Sequence, residues 1–225
     1  MDVAEAVRKR KSIRGFKPDP VDRDIIESIL KDAVCAPSAM NTQPWEFTVV
    51  AGGVLDKIRA ENVENLRAGA SGGPEHSTGH WPKDSIYRRR QVELAKQLFS
   101  LMEIGREDKE KRMEWMERGF RFFDAPAAVI ITTDRVLGDS GPLLDIGAVM
   151  NNICVLALEH GLGTCIEDQG IFYPEVIRRH TSIDESKNII ISVALGYPDP
   201  EFPANRVESG RVALFENTAW HGFNK

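Results

Sequence analysis

The segment Asn188-Ile-Ile-Ile-Ser-Val-Ala-Leu195 constrains the fold most. Eight residues dominated by β-branched side chains are too few for a buried helix and carry the preferences of a central strand. Ala127-Ala-Val-Ile-Ile-Thr-Thr133 reads as a second buried strand, while Trp45, Phe47 and Val49 alternate with Glu46, Thr48 and Val50 in strand period. Helical periods lie between them. Behind Asp22, an N-cap residue type, Ile25, Ile26, Ile29, Leu30 and Ala33 recur at helical spacing, and Pro37 ends the run because proline disfavours helical geometry in the residue before it. Residues 1–10 form a short helix with Val3, Ala6 and Val7 on one side. Gly52-Gly53 closes the first strand, and Leu55, Ile58 and Val63 mark another helix. Leu143 to His160 is an apolar helix stopped by Gly161, Thr164 to Glu167 a short strand, and Pro174 to His180 a short helix. Helices and strands are interleaved without an internal repeat, which predicts an α+β or α/β sandwich. A length of 225 residues suits one domain spanning 1–225.

Residues 68–84 are rich in Gly, Ser and Pro and predict a loop or mobile lid. Charged helical stretches follow over roughly 86–103 and 107–122, the second studded with Met113, Trp115, Met116, Phe120, Phe122 and Phe123. Together they predict a helical lid insertion over about 68–123. The tail from Pro198 to Lys225 has no regular period, but Trp220 and Phe223 predict an arm packed on something.

The chain carries 29 basic and 34 acidic side chains, a net charge of −5. That balance argues against nucleic acid or an anionic membrane as the main partner, since both select a basic face. The longest apolar runs, such as Ala127–Ile131 and Ile189–Ile191, are short, so no membrane crossing is expected. The opening MDVAEAVRKRKSIRGF has neither the apolar core nor the cleavage site of a secretory signal. Three widely spaced cysteines (Cys35, Cys154, Cys165) give no disulfide framework and no zinc site; a reducing cytoplasm is the simplest setting.

Three clusters offer chemistry. Arg8-Lys-Arg-Lys-Ser-Ile-Arg14 holds five cations and a hydroxyl, and in an extended segment Arg10, Ser12 and Arg14 leave on one side. Guanidiniums bind phosphate through paired hydrogen bonds. A solvated basic face is the competing reading. Ala36-Pro-Ser-Ala-Met-Asn-Thr-Gln-Pro-Trp45 forms a rigid turn able to present backbone and amide groups to a ligand; it reads equally as an ordinary helix-to-strand connection. Gly161-Leu-Gly-Thr-Cys-Ile-Glu-Asp-Gln-Gly170 lacks the third glycine of a dinucleotide fingerprint and follows a helix, so a nicotinamide, if used, is not held by a Rossmann unit. His76 and His80, four apart, lack a carboxylate-rich helix to complete a metal site, and no metal is expected. Asp134, Asp139 and Asp145 read as surface or capping groups, and the absence of a G-x-S-x-G motif disfavours a hydrolase.

Taken in order, Arg10-Lys-Ser-Ile-Arg-Gly-Phe16, the 36–45 turn, Asp145-Ile-Gly-Ala-Val-Met-Asn-Asn152 with Gly161-Leu-Gly-Thr-Cys165, Ala194-Leu-Gly-Tyr-Pro-Asp-Pro200 and Asn205-Arg-Val-Glu-Ser-Gly-Arg211 resemble the nitroreductase family of flavoproteins. Each piece alone is weak; five in family order across nearly the whole chain are specific. The resemblance implies an α+β sandwich whose central, mainly antiparallel sheet is flanked by helices, and a homodimer with exchanged C-terminal arms and FMN at the interface. It implies that Arg10, Lys11, Ser12 and Arg14 grip the flavin phosphate and its N1/O2 edge, with Arg211 as a second guanidinium on the phosphate. Pro37, Ser38, Ala39, Met40 and Asn41 would reach the flavin from the other subunit, and Glu167, Asp168, Gln169 and Gly170 would run past its N5. A cation beside N1 and O2 stabilises the charge a reduced flavin accumulates, so the protein needs no strong acid or base of its own. NADH or NADPH would deliver electrons in the same pocket and leave before the acceptor enters. The runs Tyr87-Arg-Arg-Arg90, Gly105-Arg-Glu-Asp108 and Phe122-Phe-Asp-Ala-Pro126 are similar to the longer nitroaromatic-reductase branch. There Trp81, Tyr87, Arg88, Trp115 and Phe120 are the candidates to meet substrate. The implied reaction is reduction of nitroaromatics, quinones or similar electron-poor compounds; the alternatives are reductive dehalogenation, enone reduction or flavin fragmentation on the same fold, or a non-catalytic flavin-binding protein.

Overall fold

A computed structural model describes residues 1–76, 81–138 and 140–223. The apolar segment expected at the centre is β4 (Lys187–Gly196); it lies between β2 (Ala127–Asp134) and β3 (Gly163–Glu167), while β1 (Glu46–Ala51) pairs with the far side of β2. All three pairings are antiparallel. Successive side chains on β2 point to opposite faces. Ala127, Val129 and Ile131 enter one core cluster, and Ala128 and Ile130 the other. The register skips between Ile131 and Thr132, which turns Ile190 as well as Ile191 into the first cluster. Both faces of the sheet are therefore buried, which is why β2 and β4 read as nearly unbroken apolar runs.

The first face is covered by α2 (Arg23–Ala33) and α6 (Leu143–Leu156, extended to His160 by a 3₁₀ turn), the second by α3 (Gly52–Arg67), the end of α5 (Lys109–Phe120) and α7 (Pro174–Thr181). Asp22 occupies the N-cap of α2, but its side chain makes no capping bond; its carbonyl accepts from Ile25 and Ile26 instead. Gly52-Gly53, expected to close β1, also begins α3, with Gly52 at φ +52° turning the chain directly from strand into helix. By length and a mean hydropathy of 1.3, Leu143–His160 would suffice to cross a membrane, contrary to the expectation from short apolar runs. One face of it, Ile146, Val149, Ile153, Cys154 and Ala157, is packed into the first cluster, while only 28% of the helix is buried within the protein.

The insertion contributes α4 (Ile86–Leu101) and α5. Its first part is tied down: the Gly73 N–H donates to the Phe172 carbonyl at 3.1 Å, and Glu75 accepts from the Ile189 N–H at 2.8 Å. Its end is core, since Phe120, Phe122 and Phe123 are buried in the second cluster. Phe122, Phe123 and Asp124 all take positive φ, a geometry unfavourable for bulky residues. The Arg59 side chain holds that turn by donating to the carbonyls of Arg121, at 3.0 Å, and Ala125. In the tail, Trp220 and Phe223 pair edge-to-face at 5.3 Å yet stay exposed, along with Leu214 and Phe215.

Candidate functional site

After α1 (Val3–Lys9) the chain becomes extended and runs beside the end of β3. Ser12 forms a parallel bridge to Thr164, the Ile13 N–H donates to the Thr164 carbonyl at 2.9 Å, and Lys17 N–H donates to Tyr197 at 2.8 Å. Ile13 and Gly15 are buried while Ser12 and Arg14 are half-exposed, so the expected alternation of side chains is present. Among the described residues no carboxylate lies in ion-pair range of Arg10, Lys11, Arg14 or Arg211. Cations without anionic partners among the described residues are open to a phosphate or a negatively charged ring edge. Beneath them, burial pushes the Cys154 thiol up and the Cys165 thiol up to about 12, despite the opposing pull of Arg14 and Ser12 on Cys165. Both are packing residues, with no thiolate to offer near neutral pH.

The 37–41 turn has the opposite character. Met40 and Asn41 adopt positive φ, the Ala39 N–H donates to the Asp145 carboxylate at 3.2 Å, and the Gln43 N–H donates to Ser38 Oγ at 3.0 Å. Met40 projects from this braced loop with 99% of its surface exposed. Pro37, Ala39 and Asn41 are also exposed, and Ser38 is half-buried. Asp145 and Asp134 do act as local braces, Asp134 accepting from the Val136 N–H at 3.0 Å; Asp139 lies outside the described residues.

The 167–170 turn is held from below. Glu167 is buried, accepts from the Gly170 N–H at 2.7 Å and meets the Ser192 hydroxyl; burial lifts its carboxyl to about 7. Ser192 Oγ also donates to the Glu167 carbonyl at 2.8 Å. One hydroxyl proton cannot serve both oxygens, so the second hydrogen bond calls for a proton on the carboxyl. From α3 the buried Asn62 donates to the carbonyls of Phe120 and Gly170, at 3.0 and 2.8 Å. Gly170 sits against the Phe122 ring with no room for a Cβ. Gln169 packs just as closely on Gly119, and Asp168, also in the turn, is half-buried.

The five lid candidates separate. Trp81 and Tyr87, with ring centroids 5.6 Å apart, line a groove of about 740 Å³ together with Arg90, Leu94, Gly210 and Arg211. Arg211 itself folds back, donating to the carbonyl and hydroxyl of Ser209 at 2.8 Å. Arg88 turns to a different groove and donates to Gln91 at 2.6 Å. Trp115 is half-buried against Phe123, and the Arg14 guanidinium lies 6.0 Å from the centre of that same Phe123 ring. Phe120 is a core residue, 5% exposed and edge-on to Phe172. No hydrogen bond or ion pair among the described residues joins the 10–14 segment, the 37–41 turn and Arg211 to one another. Sequence reasoning missed Asn62 and Arg118, and it placed Asn205 at the head of the 205–211 segment without a role. Their local signal is slight, because their partners are far away in the chain. His80 lies outside the described residues, and among those described no three His, Cys, Asp or Glu side chains are placed to hold a metal.

The arrangement thus sets a row of cations beside β3, which leads into a rigid turn. The family model described as "Nitroreductase family" matches residues 7–197. The nitrobenzene nitroreductase of Ectopseudomonas oleovorans is 32% identical over 219 residues, covering 97% of this chain and 96% of its own. The chloronitrobenzene nitroreductase of Comamonas testosteroni is 31% identical with the same coverage. Among solved structures, the FMN and NADPH-dependent nitroreductase NfnB from Sphigopyxis sp. strain HMH superposes with a TM-score of 0.93 at 28% identity, over 99% of this chain and 100% of that one.

Proposed function

The chain belongs to the nitroreductase family, and from that we infer an FMN-dependent oxidoreductase that takes hydride from NADH or NADPH and reduces nitroaromatics, quinones or similar electron-poor small molecules. The observation that carries the reading is the extended 10–14 segment, with its cations unpaired among the described residues, laid beside β3, the strand that leads into the rigid 167–170 turn. Bound FMN would supply hydride transfer at its N5. The chain's own residues bind and orient it. Arg10, Lys11, Ser12 and Arg14 would hold the phosphate and the N1/O2 edge, Arg211 would add a guanidinium to the phosphate, and the 167–170 turn would border the ring. With donor and acceptor using one pocket in turn, the absence of a Rossmann fingerprint is expected.

The protein works as a homodimer in this reading. Met40 stands wholly exposed on a braced loop, Leu144 on α6 is 87% exposed beside the core helix face, and the tail presents Leu214, Phe215, Trp220 and Phe223 outward. Between α2 and the edge strand β1 an apolar groove of about 760 Å³, floored by Ile26, Leu30 and Val49, fits a partner's tail. Pro37, Ser38, Ala39, Met40 and Asn41 would then complete the partner's flavin site. The whole chain forms one domain, its insertion acting as lid and Trp81 and Tyr87 facing the substrate; a reducing cytoplasm suits three free cysteines.

The test is direct. The purified protein should be yellow or become so with FMN, and NADPH or NADH should bleach it until a nitroaromatic restores the colour. A protein that neither carries nor takes up FMN would overturn the proposal.

A further inference from the structure

We propose that Asn205 is a positioning residue, aiming the Arg14 guanidinium at the flavin by fixing the backbone that carries it. The inference rests on the reading that Arg14 contacts FMN. Asn205 is buried in a 3₁₀ turn (Pro203–Arg206) and lies 191 residues from Arg14 in sequence. Its Oδ1 accepts from the N–H groups of Arg14 at 2.7 Å and Gly15 at 3.2 Å. Its Nδ2 donates to the carbonyls of Gly15 at 2.7 Å and Asp199 at 2.8 Å. Two donors face the oxygen and two carbonyls face the nitrogen, so all four hydrogen-bonding positions of the amide are used and its orientation is fixed. No other side chain of that size presents two acceptor and two donor positions in this way.

The same peptide is held from its other side. Arg118 Nη2, on α5, donates to the Arg14 carbonyl at 3.1 Å, while its guanidinium stacks 4.5 Å from the Phe202 ring centre and pairs with Asp124 at 2.8 Å. Gly15 completes the clamp: a Cβ there would overlap the Phe202 ring. Both polar groups of residue 14 are thus bound by side chains, one from the C-terminal segment and one from the insertion. An arginine side chain on a free strand surrenders rotamer and backbone entropy when it grips an anion; on this strand the backbone share is already surrendered on folding.

The test is a double-mutant cycle on the full-length protein between Asn205→Ala and Arg14→Ala, read by FMN dissociation constant and by flavin midpoint potential. Asn205→Ala alone should weaken FMN by about tenfold, as loss of a supporting hydrogen-bonding partner does elsewhere, and lower the potential. In the Arg14→Ala background it should change neither. Equal effects in both backgrounds would overturn the proposal alone, since a merely structural residue acts regardless of Arg14. An Arg14→Ala protein with unchanged affinity and potential would overturn the reading of Arg14, and the proposal with it. Should Asn205→Ala fail to fold, Asn205→Asp keeps the acceptor for both N–H groups but sets a second acceptor against the two carbonyls; a loss that again vanishes without Arg14 is expected, and a loss that persists overturns the proposal.

Discussion

Ser192 faces Glu167 across the β3–β4 ladder, and its single hydroxyl touches both the carbonyl and the carboxyl of that residue. The pair needs two protons for its two hydrogen bonds, which ties the geometry of the 167–170 turn to the protonation of a buried acid.

That tie gives a pH signature. Burial raises the Glu167 carboxyl to about 7, and the neighbouring Asp168 charge adds to the rise, against the opposing hydrogen bonds from Ser192, Gly170 and Gln169. A folded-state value above the unfolded one stabilises the fold fully below the unfolded value of about 4.5 and loses that stabilisation as pH climbs through 7. Relative to Glu167→Gln, which cannot titrate, the wild type should lose on the order of 3 kcal/mol between pH 4.5 and 8 in urea unfolding. A stability difference independent of pH across this window would refute it.

Glu75 anchors the start of the insertion. Its carboxylate receives Arg178 Nη2 at 3.0 and 2.9 Å, Arg135 Nη2, and the Ile189 N–H. Glu75→Ala takes the nearer carboxylate from Arg178, leaving Glu185 at 3.3 Å and the Lys187 carbonyl at 2.7 Å, and this partial charge stranding should cost about 1–3 kcal/mol. Pairing Glu75→Leu with Arg178→Met should recover most of that, because it removes both charges and keeps the volume. Denaturant midpoints decide; a double variant as unstable as Glu75→Ala would show that charge stranding is not the cause.

Gly170 is fixed by space. A Cβ would lie 2.6 Å from the Phe122 ring, which is fully buried within a turn of positive φ and has nowhere to go. Gly170→Ala should cost about 1–3 kcal/mol by overpacking and should weaken FMN through the displaced turn. Gly73→Ala, with open space around its position, is the control. Equal stability and flavin affinity in the two variants would contradict the packing argument.

Assembly is testable on α6. Leu144→Glu places a charge on a surface that is exposed in one protomer and covered in the proposed dimer. The variant should elute as a folded monomer in size-exclusion chromatography with light scattering and bind FMN at least about tenfold more weakly, as truncating a central interface residue does. A dimeric variant that holds FMN normally would remove α6 from the interface.

Much of the architecture was legible locally. Asn188–Leu195 and Ala127–Thr133 form strands as their β-branched composition dictates, and the α2 period matches the face that helix buries. The order β1-β2-β4-β3 was not legible, since two of its three pairings join segments more than 50 residues apart and leave no local trace. Phe120 illustrates the same limit: an aromatic on a charged helix looks like a lid residue until the fold presses it against Phe172.

The site divides in the same way. Sequence alone determined that cations cluster at 8–14, that a proline-bounded turn spans 36–45 and that five segments stand in family order, because residue type and spacing are local properties. Only the tertiary structure decided that Asn205 clamps Arg14 across 191 residues, that Asn62 reaches Gly170 across 108, and that Glu167 is buried deeply enough to raise its carboxyl to about 7. Hydrogen bonds of that reach and the desolvation of a carboxyl exist only once the chain has closed, and nothing in the local alphabet encodes them.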